Sequence, residues 1–269
     1  MNSDLNPRVV LCTPGFPSSV DDFDKPFLLD HAVALTQAGL EVTVVCPAVP
    51  GLPSRHVVAG VEVIRVRYAP RRFETLATTG SMYREARSIK GVWAVSMMVA
   101  MMIATIRQLK PRSSIAYGHW WIPGGMVAAI AARCRRRSSL IHLHGSDATV
   151  TQSAAIRLLG RKILRMADVR MAVSDELANW AQELCNKPVQ VLPMPLVFER
   201  FPTPSPPPED GYVLAVGRLV PEKGFDVLID AVSLLEKAHR PKVTIIGVGP
   251  ERQRLAEQAR RKAVEIHLP

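Results

Sequence analysis

An α/β fold built on parallel sheets in two domains is predicted by three observations. Short β-branched runs alternate with helical patterns along the whole chain, the signature of strands joined by crossover helices. Several of those runs are apolar throughout, as strands covered on both faces must be. A proline-rich stretch then interrupts the alternation, which afterwards begins again. At 269 residues, with 48% apolar and 22% charged residues, the chain has enough material for one large or two ordinary cores.

Taken in order, "RVVLC" (Arg8–Cys12) reads as a buried strand, followed by a loop and a helical pattern over Phe27–Gln37. Gly39 ends that helix, and "EVTVVCP" (Glu41–Pro47) is the next strand. "VEVIRVR" (Val61–Arg67) alternates, as a strand with one wet face would. After helical segments to about Leu109, "SIAYGHW" supplies a strand ending at His119, and "GGMVAAIAARC" a helix. "SLIHLHGSD" is a strand leading into a loop, and "AAIRLLGRKILRMA" an amphipathic basic helix. "DVRMAVS" and "PVQVLPMP" add two strands around a helix at Asp175–Leu184, with Ser174 as its N-cap.

Pro193–Gly211 holds seven prolines, which withdraw backbone donors and favour extended chain. The expected organisation is therefore a domain over 1–192, a linker over 193–210 and a second domain over 211–269. The second domain carries "YVLAVG", "KVTIIG" and "VEIHL" as strands, with two helices between them. Three strands are half of a doubly wound sheet, so the expectation is a partial domain with an open edge, belonging to a fragment of little activity.

Cys12, Cys46, Cys134 and Cys185 form no CxxC pair and no metal-like spacing with histidine, which predicts free thiols in a reduced, cytoplasmic setting and no metal site. The apolar start is too short for a signal-peptide core, and the uncharged run Gly91–Ile106 is short for a bilayer span. The net charge of +10 is uneven: Arg65–Arg137 holds fourteen Lys/Arg against Glu74 and Glu85. That window brackets the uncharged run with Arg84, Arg87 and Lys90 before it and Arg107, Lys110 and Arg112 after it. Two readings stand: a basic-rimmed apolar helix against an anionic membrane surface, or a helix buried in a core. No aromatic–basic interleaving accompanies the charge, so nucleic acid is not an expected partner.

"GYVLAVGRLVPEKGFDVLIDAV" places a strand before Gly217, then Arg218, Lys223 and a helix beginning near Gly224. Two cations beside a helix N-terminus suit a diphosphate, and the two glycines let backbone approach it closely. On its own, an Arg-x4-Lys is more often an ordinary strand–turn–helix with surface charges. The whole run, however, resembles the "GRLxxEKG" signature of family 4 glycosyltransferases and the helix pattern that follows it. The resemblance implies a GT-B architecture of two Rossmann-like domains, the first on the acceptor side, and a retaining, metal-independent sugar transfer without cofactor. It implies that Arg218 and Lys223, with Gly217 and Gly224, hold the donor diphosphate, with Glu222 as an orienting neighbour.

The first domain carries the resemblance too. "HLHGSD" (His142–Asp147) is similar to the family's "HGxD" loop, whose histidine lies against the donor sugar. That role falls to His144, with Gly145 and Asp147 supporting it; His142 is the lesser candidate, a strand histidine of the kind that is usually structural. A neutral imidazole or a backbone carbonyl there would stabilise a positively charged, oxocarbenium-like sugar. The opening "TPGFPSS" is similar to the acceptor-side loop and points to Gly15, Ser18 and Ser19, although many relatives have a Gly-Gly pair where this chain has "SSVDDFDKP".

The implied partners are a nucleotide-diphosphate sugar and a lipid-linked or saccharide acceptor in envelope or exopolysaccharide synthesis, at the inner face of the plasma membrane if the basic helix docks there. The alternative is a non-enzymatic product or binding module that keeps the acceptor domain. A nicotinamide-dependent oxidoreductase is excluded, because Arg252 stands where a dinucleotide fingerprint after "GVGP" would need glycine.

Overall fold

The computed structural model describes residues 7–22, 24–76, 91–110, 112–150, 153–195 and 211–269. The chain divides into two compact units, Met1–Arg200 and Phe201–Pro269. The first unit is built on a sheet of β1 (Arg8–Cys12), β2 (Glu41–Pro47), β3 (Arg55–Val58), β4 (Val61–Val66), β5 (Ile115–His119), β6 (Ser138–Leu143), β7 (Val169–Ala172) and β8 (Gln190–Val191). The strand order is β3-β4-β2-β1-β5-β6-β7-β8, and every described pairing is parallel except β3 with β4. Its helices are α1 (Pro26–Gln37), α2 (Gly91–Gln108), α3 (Met126–Arg135), the short α4 (Ser146–Val150), α5 (Ala154–Met166) and α6 (Asp175–Cys185).

Both faces of the central strands are buried, as their apolar sequences require. Along β1, Val9 and Leu11 pack towards Leu28 and Leu29 of α1, while Val10 and Cys12 pack towards Met97 and Met101 of α2 and Val127 and Ala128 of α3. Burial raises the Cys46 thiol to about 11 and the Cys12 thiol to about 12, so both behave as small apolar groups. Further along the sheet, Ile141 and Leu143 pack with Ile163 and Leu164 of α5 and Ala181 of α6. The Ser174 hydroxyl caps α6, accepting from the Leu177 N–H at 3.3 Å.

Three features differ from expectation. The β3 strand was not foreseen: Ala59 and Gly60, both with positive φ, form a two-residue turn that folds "RHVV" back along β4. On β4 the polar residues divide between the faces: Glu62 stays partly exposed, but Arg65 lies on the buried face with Val61 and Val63. There its Nη2 donates to the Phe16 and Pro17 carbonyls at 2.9 and 3.0 Å. The guanidinium is solvated by backbone instead of water. The buried-helix reading of α2 also fails in part. Met97, Met101 and Thr105 face the core, but Val92, Val95, Val99 and Ile103 make an outward stripe between 44% and 63% exposed. Arg84, Arg87 and Lys90 lie outside the described residues.

The second unit has β9 (Tyr212–Val216), β10 (Lys242–Ile246) and β11 (Ile266–His267) in the order β11-β10-β9, all parallel. Helices α7 (Phe225–Ser233) and α8 (Arg252–Arg261) cover one face, burying Ile229, Val232, Leu255 and Ala259 against Val243 and Ile245. On β9 the alternation leaves Tyr212, Leu214 and Val216 at least half exposed, on the face away from the two helices.

Candidate functional site

The carboxyl edge of the large sheet gathers an aromatic and histidine cluster. Strands β5 and β6 lie side by side with His119 opposite His142. A period of two puts Tyr117 and His119 on one face of β5, and His142, with His144 just beyond the strand, on the same face of β6. The Tyr117 hydroxyl lies 2.9 Å from His142 Nδ1, and His119 Nδ1 lies 3.1 Å from His144 Nε2. Helix α1 sets His31 edge-on to Tyr117 and His119, with ring centroids 5.3 and 5.4 Å apart.

The tautomer of His142 follows from its partners. Its Nε2 is 2.8 Å from the Leu192 carbonyl oxygen, which can only accept. The proton therefore sits on Nε2, and the bare Nδ1 accepts from Tyr117. This is a fully satisfied structural histidine, the role that sequence reasoning preferred for it.

Burial keeps the cluster neutral. It lowers His31 to about 4 and His144 to about 3, and His119 well below its ordinary value, with the neighbouring imidazoles adding to the effect in each case. His142 is lowered by burial as well, against an upward pull from the Leu192 carbonyl.

Asp147 ties the loop of His144 to the turn that follows β5. One carboxylate oxygen accepts from the His144 N–H at 2.7 Å and the other from the Trp121 N–H at 3.2 Å, while the Asp147 N–H donates to the His144 carbonyl at 2.9 Å. The side chain is fully buried, and burial raises its carboxyl to about 8 against the downward pull of those two donors. Asp147 thus supports His144 through backbone hydrogen bonds. Gly145 has no heavy atom within 4 Å of where a Cβ would stand, so close packing does not explain a glycine there.

Trp120 completes the wall. It holds a left-handed backbone (φ 60), stacks on His144 with centroids 4.2 Å apart and donates from Nε1 to the Ser146 hydroxyl at 3.0 Å. Such a backbone is costly for a bulky residue, so the surrounding turn must impose it. That turn runs over the ends of β1 and β5 so closely that a Cβ on Gly124 would lie 2.3 Å from the Cys12 and His119 carbonyls.

Sequence reasoning missed Tyr117, His119, His31 and Trp120 as members of this site. The available signal was the pair of strand ends "YGH" and "HLH", whose period-two spacing stacks polar rings on one face.

The first loop after β1 folds on itself. The Ser18 N–H and hydroxyl both donate to Asp22, at 2.8 and 2.7 Å, the Ser19 carbonyl accepts from the Asp22 N–H, and the Gly15 carbonyl accepts from the Thr13 hydroxyl. Asp24 pairs with Lys25, whose stem lies over Gly15. Asp22 is thus a brace for Ser18.

The second unit carries the cationic loop by itself. Gly217 leaves β9, a 3-10 turn spans Pro221–Lys223, and Gly224 (φ 65) opens α7 without a side-chain cap. Arg218, Glu222 and Lys223 are exposed, and neither cation has an ion pair among the described residues. The Lys223 stem packs along Gly217. The second glycine turn explains the loop's shape: a Cβ on Gly247 would meet the Gly217 carbonyl oxygen at 1.8 Å, and one on Gly249 the Leu219 carbonyl oxygen at 2.3 Å. "GVGP" is a packing surface for the Arg218 loop. Two unpaired cations beside uncapped helix N–H groups can take up a diphosphate. Among the described residues no group of three or more His, Cys, Asp or Glu is placed to hold a metal ion.

Comparison with known proteins agrees with this anatomy. Residues 26–197 match the glycosyl transferase 4-like domain, and residues 198–268 match the glycosyl transferases group 1. The chain is 26% identical, over 93% of its length and 68% of the relative's, to TuaC of Bacillus subtilis (strain 168), which is named as a teichuronic acid biosynthesis glycosyltransferase. Its fold matches Anabaena Alr3699/HepE, solved in complex with UDP and glucose (TM-score 0.64, 17% identity, 97% of this chain and 68% of that one). It also matches a UDP-forming α,α-trehalose-phosphate synthase from Burkholderia vietnamiensis (TM-score 0.67, 12% identity, 98% and 72%). Together the two matches span nearly the whole chain, and the chain belongs to the GT-B glycosyltransferases with a 4-like first domain and a group 1 second domain.

Proposed function

We propose that this chain works as a retaining, metal-independent hexosyltransferase, moving a sugar from a nucleotide-diphosphate sugar to a saccharide or lipid-linked acceptor in envelope or exopolysaccharide synthesis. The observation that carries the reading is the exposed Arg218 and Lys223, without an ion pair among the described residues, beside the uncapped start of α7. These groups neutralise the diphosphate as its bond to the anomeric carbon breaks, which is the charge a metal ion would otherwise take. The neutral His144 leaves a developing positive sugar unopposed by like charge. HepE, solved with UDP-glucose, supports the donor class, and TuaC, named for teichuronic acid biosynthesis, supports a saccharide product.

The test is titration of the purified chain with UDP and with a panel of nucleotide sugars, followed by product analysis. Binding of the nucleoside diphosphate is expected, and whatever transfer the chain performs should retain the anomeric configuration and persist in the presence of chelator. Absence of any nucleotide binding would overturn the reading.

We also assign the protein to the cytoplasmic face of an anionic membrane. The outward stripe of Val92, Val95, Val99 and Ile103, followed by Arg107, Lys110 and Arg112, supports a peripheral contact. Binding to vesicles rich in anionic lipid should fall with added salt, and no binding at low salt would remove the assignment.

A further inference from the structure

The His119–His144 contact contains a proton whose position the buried surroundings decide. Between His119 Nδ1 and His144 Nε2, at 3.1 Å, one ring must donate and the other accept. His119 is 1% exposed, and its other nitrogen, Nε2, is buried with no hydrogen-bond partner among the described residues. If His144 donated, His119 would carry its own proton on that Nε2, leaving a buried N–H without an acceptor. If His119 donates, Nε2 keeps only a bare lone pair. Orphaned buried N–H groups are the rarer and costlier case, so His119 is the donor.

The consequence falls on His144. Its Nε2 accepts, so the proton of the neutral ring sits on Nδ1, which has no protein partner among the described residues. Trp120 stacked on the ring, and the Asp147 bond to its backbone N–H, hold the imidazole in place. His142, on the neighbouring face position, has the opposite tautomer, because the Leu192 carbonyl demands a proton on Nε2. Two histidines two residues apart on one strand end are thereby set to opposite tautomers by different partners.

We propose that His119 is a positioning residue: by donating from Nδ1 to His144 Nε2 it fixes the His144 proton on Nδ1, so that His144 presents one N–H donor to a hydroxyl of the sugar. The last clause rests on the proposed transferase function; the tautomer assignment does not.

Side-chain nitrogen NMR of the labelled chain at neutral pH reads the assignment without any activity. The expected spectrum has His144 with a bare Nε2 and a protonated Nδ1, and His142 with the reverse. His119→Phe keeps a ring in place but removes the donor; it should release His144 from its fixed tautomer while the His142 signature stays, showing an intact fold. His119→Asn carries its amide on Cγ, as the imidazole carries Nδ1, and should restore the His144 signature; His119→Gln, with the amide one bond further out, should not. Should His119→Phe lose the His142 signature as well, the Asn and Gln variants decide between restoration and none. A wild-type His144 protonated on Nε2, or an unchanged His144 in a folded His119→Phe or His119→Gln variant, overturns the proposal. In turnover assays His119→Phe should raise the donor KM by about tenfold or more with a smaller change in kcat, the pattern of a hydrogen bond to the sugar that is made already in the ground state. A wild-type chain without turnover but with the expected tautomers would count against the transferase reading alone.

Discussion

The two candidate sites, one in each unit, are built in opposite ways. At the carboxyl edge of the large sheet, His31, Tyr117, His119, His142 and His144 come from three separate elements, are buried, and are held neutral. Around Gly217–Gly224 the functional groups come from one short stretch and stand in solvent, while the backbone beneath is locked by Gly247 and Gly249. The difference teaches where preorganisation resides. A neutral hydrogen-bonding edge needs its side chains excluded from water and oriented by one another. A diphosphate cradle needs only free cations and free N–H groups on a rigid backbone, since the ligand supplies the counter-charge.

The sharpest test of this contrast removes both cations. Arg218→Ala with Lys223→Ala should cost about 3–4 kcal/mol or more of transition-state stabilisation in a functional transferase. Its thermal midpoint should hardly move, because neither side chain makes an ion pair among the described residues. Near-normal donor use by the double variant would break the comparison on the exposed side.

The buried side should respond in stability instead. Asp147→Ala strips two backbone N–H groups of their acceptor and should destabilise the fold by about 2–6 kcal/mol, at about 1–3 kcal/mol for each buried donor left unsatisfied. Denaturant unfolding measures it; an unchanged midpoint would show that the tie to Trp121 is unimportant.

A smaller effect is the pH profile. His31 and His144 fall from an ordinary 6.5 to about 4 and about 3, so the unfolded chain binds the extra protons. Their contribution is complete above pH 6.5 and is lost as pH falls towards 4 and below, at up to about 1.4 kcal/mol for each tenfold difference in proton affinity between the folded and unfolded chain. Asp147, raised from 3.8 to about 8, works the other way: its contribution is complete below 3.8 and is lost as pH rises to 8. Asp147→Asn should therefore steepen the net rise of stability with pH between 4 and 6.5, as followed by unfolding at fixed pH values. An equally shallow slope would mean that the carboxyl is ionised throughout.

The least effect on the fold is expected at α2. Val95→Asp with Val99→Asp should leave unfolding almost unchanged, within about 0.5 kcal/mol, since both face solvent. The same changes should abolish sedimentation with anionic vesicles. Retained vesicle binding would move the contact elsewhere on the basic surface.

Most strands and helices were legible in the sequence because their residues report a periodicity that burial on two faces enforces: "RVVLC" and "EVTVVCP" need no partner to be recognised. The β3 strand escaped, since "RHVV" is short and is made a strand by the Ala59–Gly60 turn and by pairing with β4. The burial of Arg65 was not legible either, since only the carbonyls of Phe16 and Pro17, nearly fifty residues away, make it tolerable.

The sequence by itself determined the fold class, the family and the cationic loop, whose Gly217, Arg218, Lys223 and Gly224 are neighbours along the chain. Local order suffices there, because a helix start and two nearby charges are properties of a contiguous segment. Tertiary structure alone decided what surrounds His144. The residues that orient and neutralise it, His31, His119, Trp120 and Asp147, meet only when parallel strands align their ends and water is excluded. Proton positions within such a cluster depend on which acceptors lie within hydrogen-bond reach, and distance through space is not written along the chain.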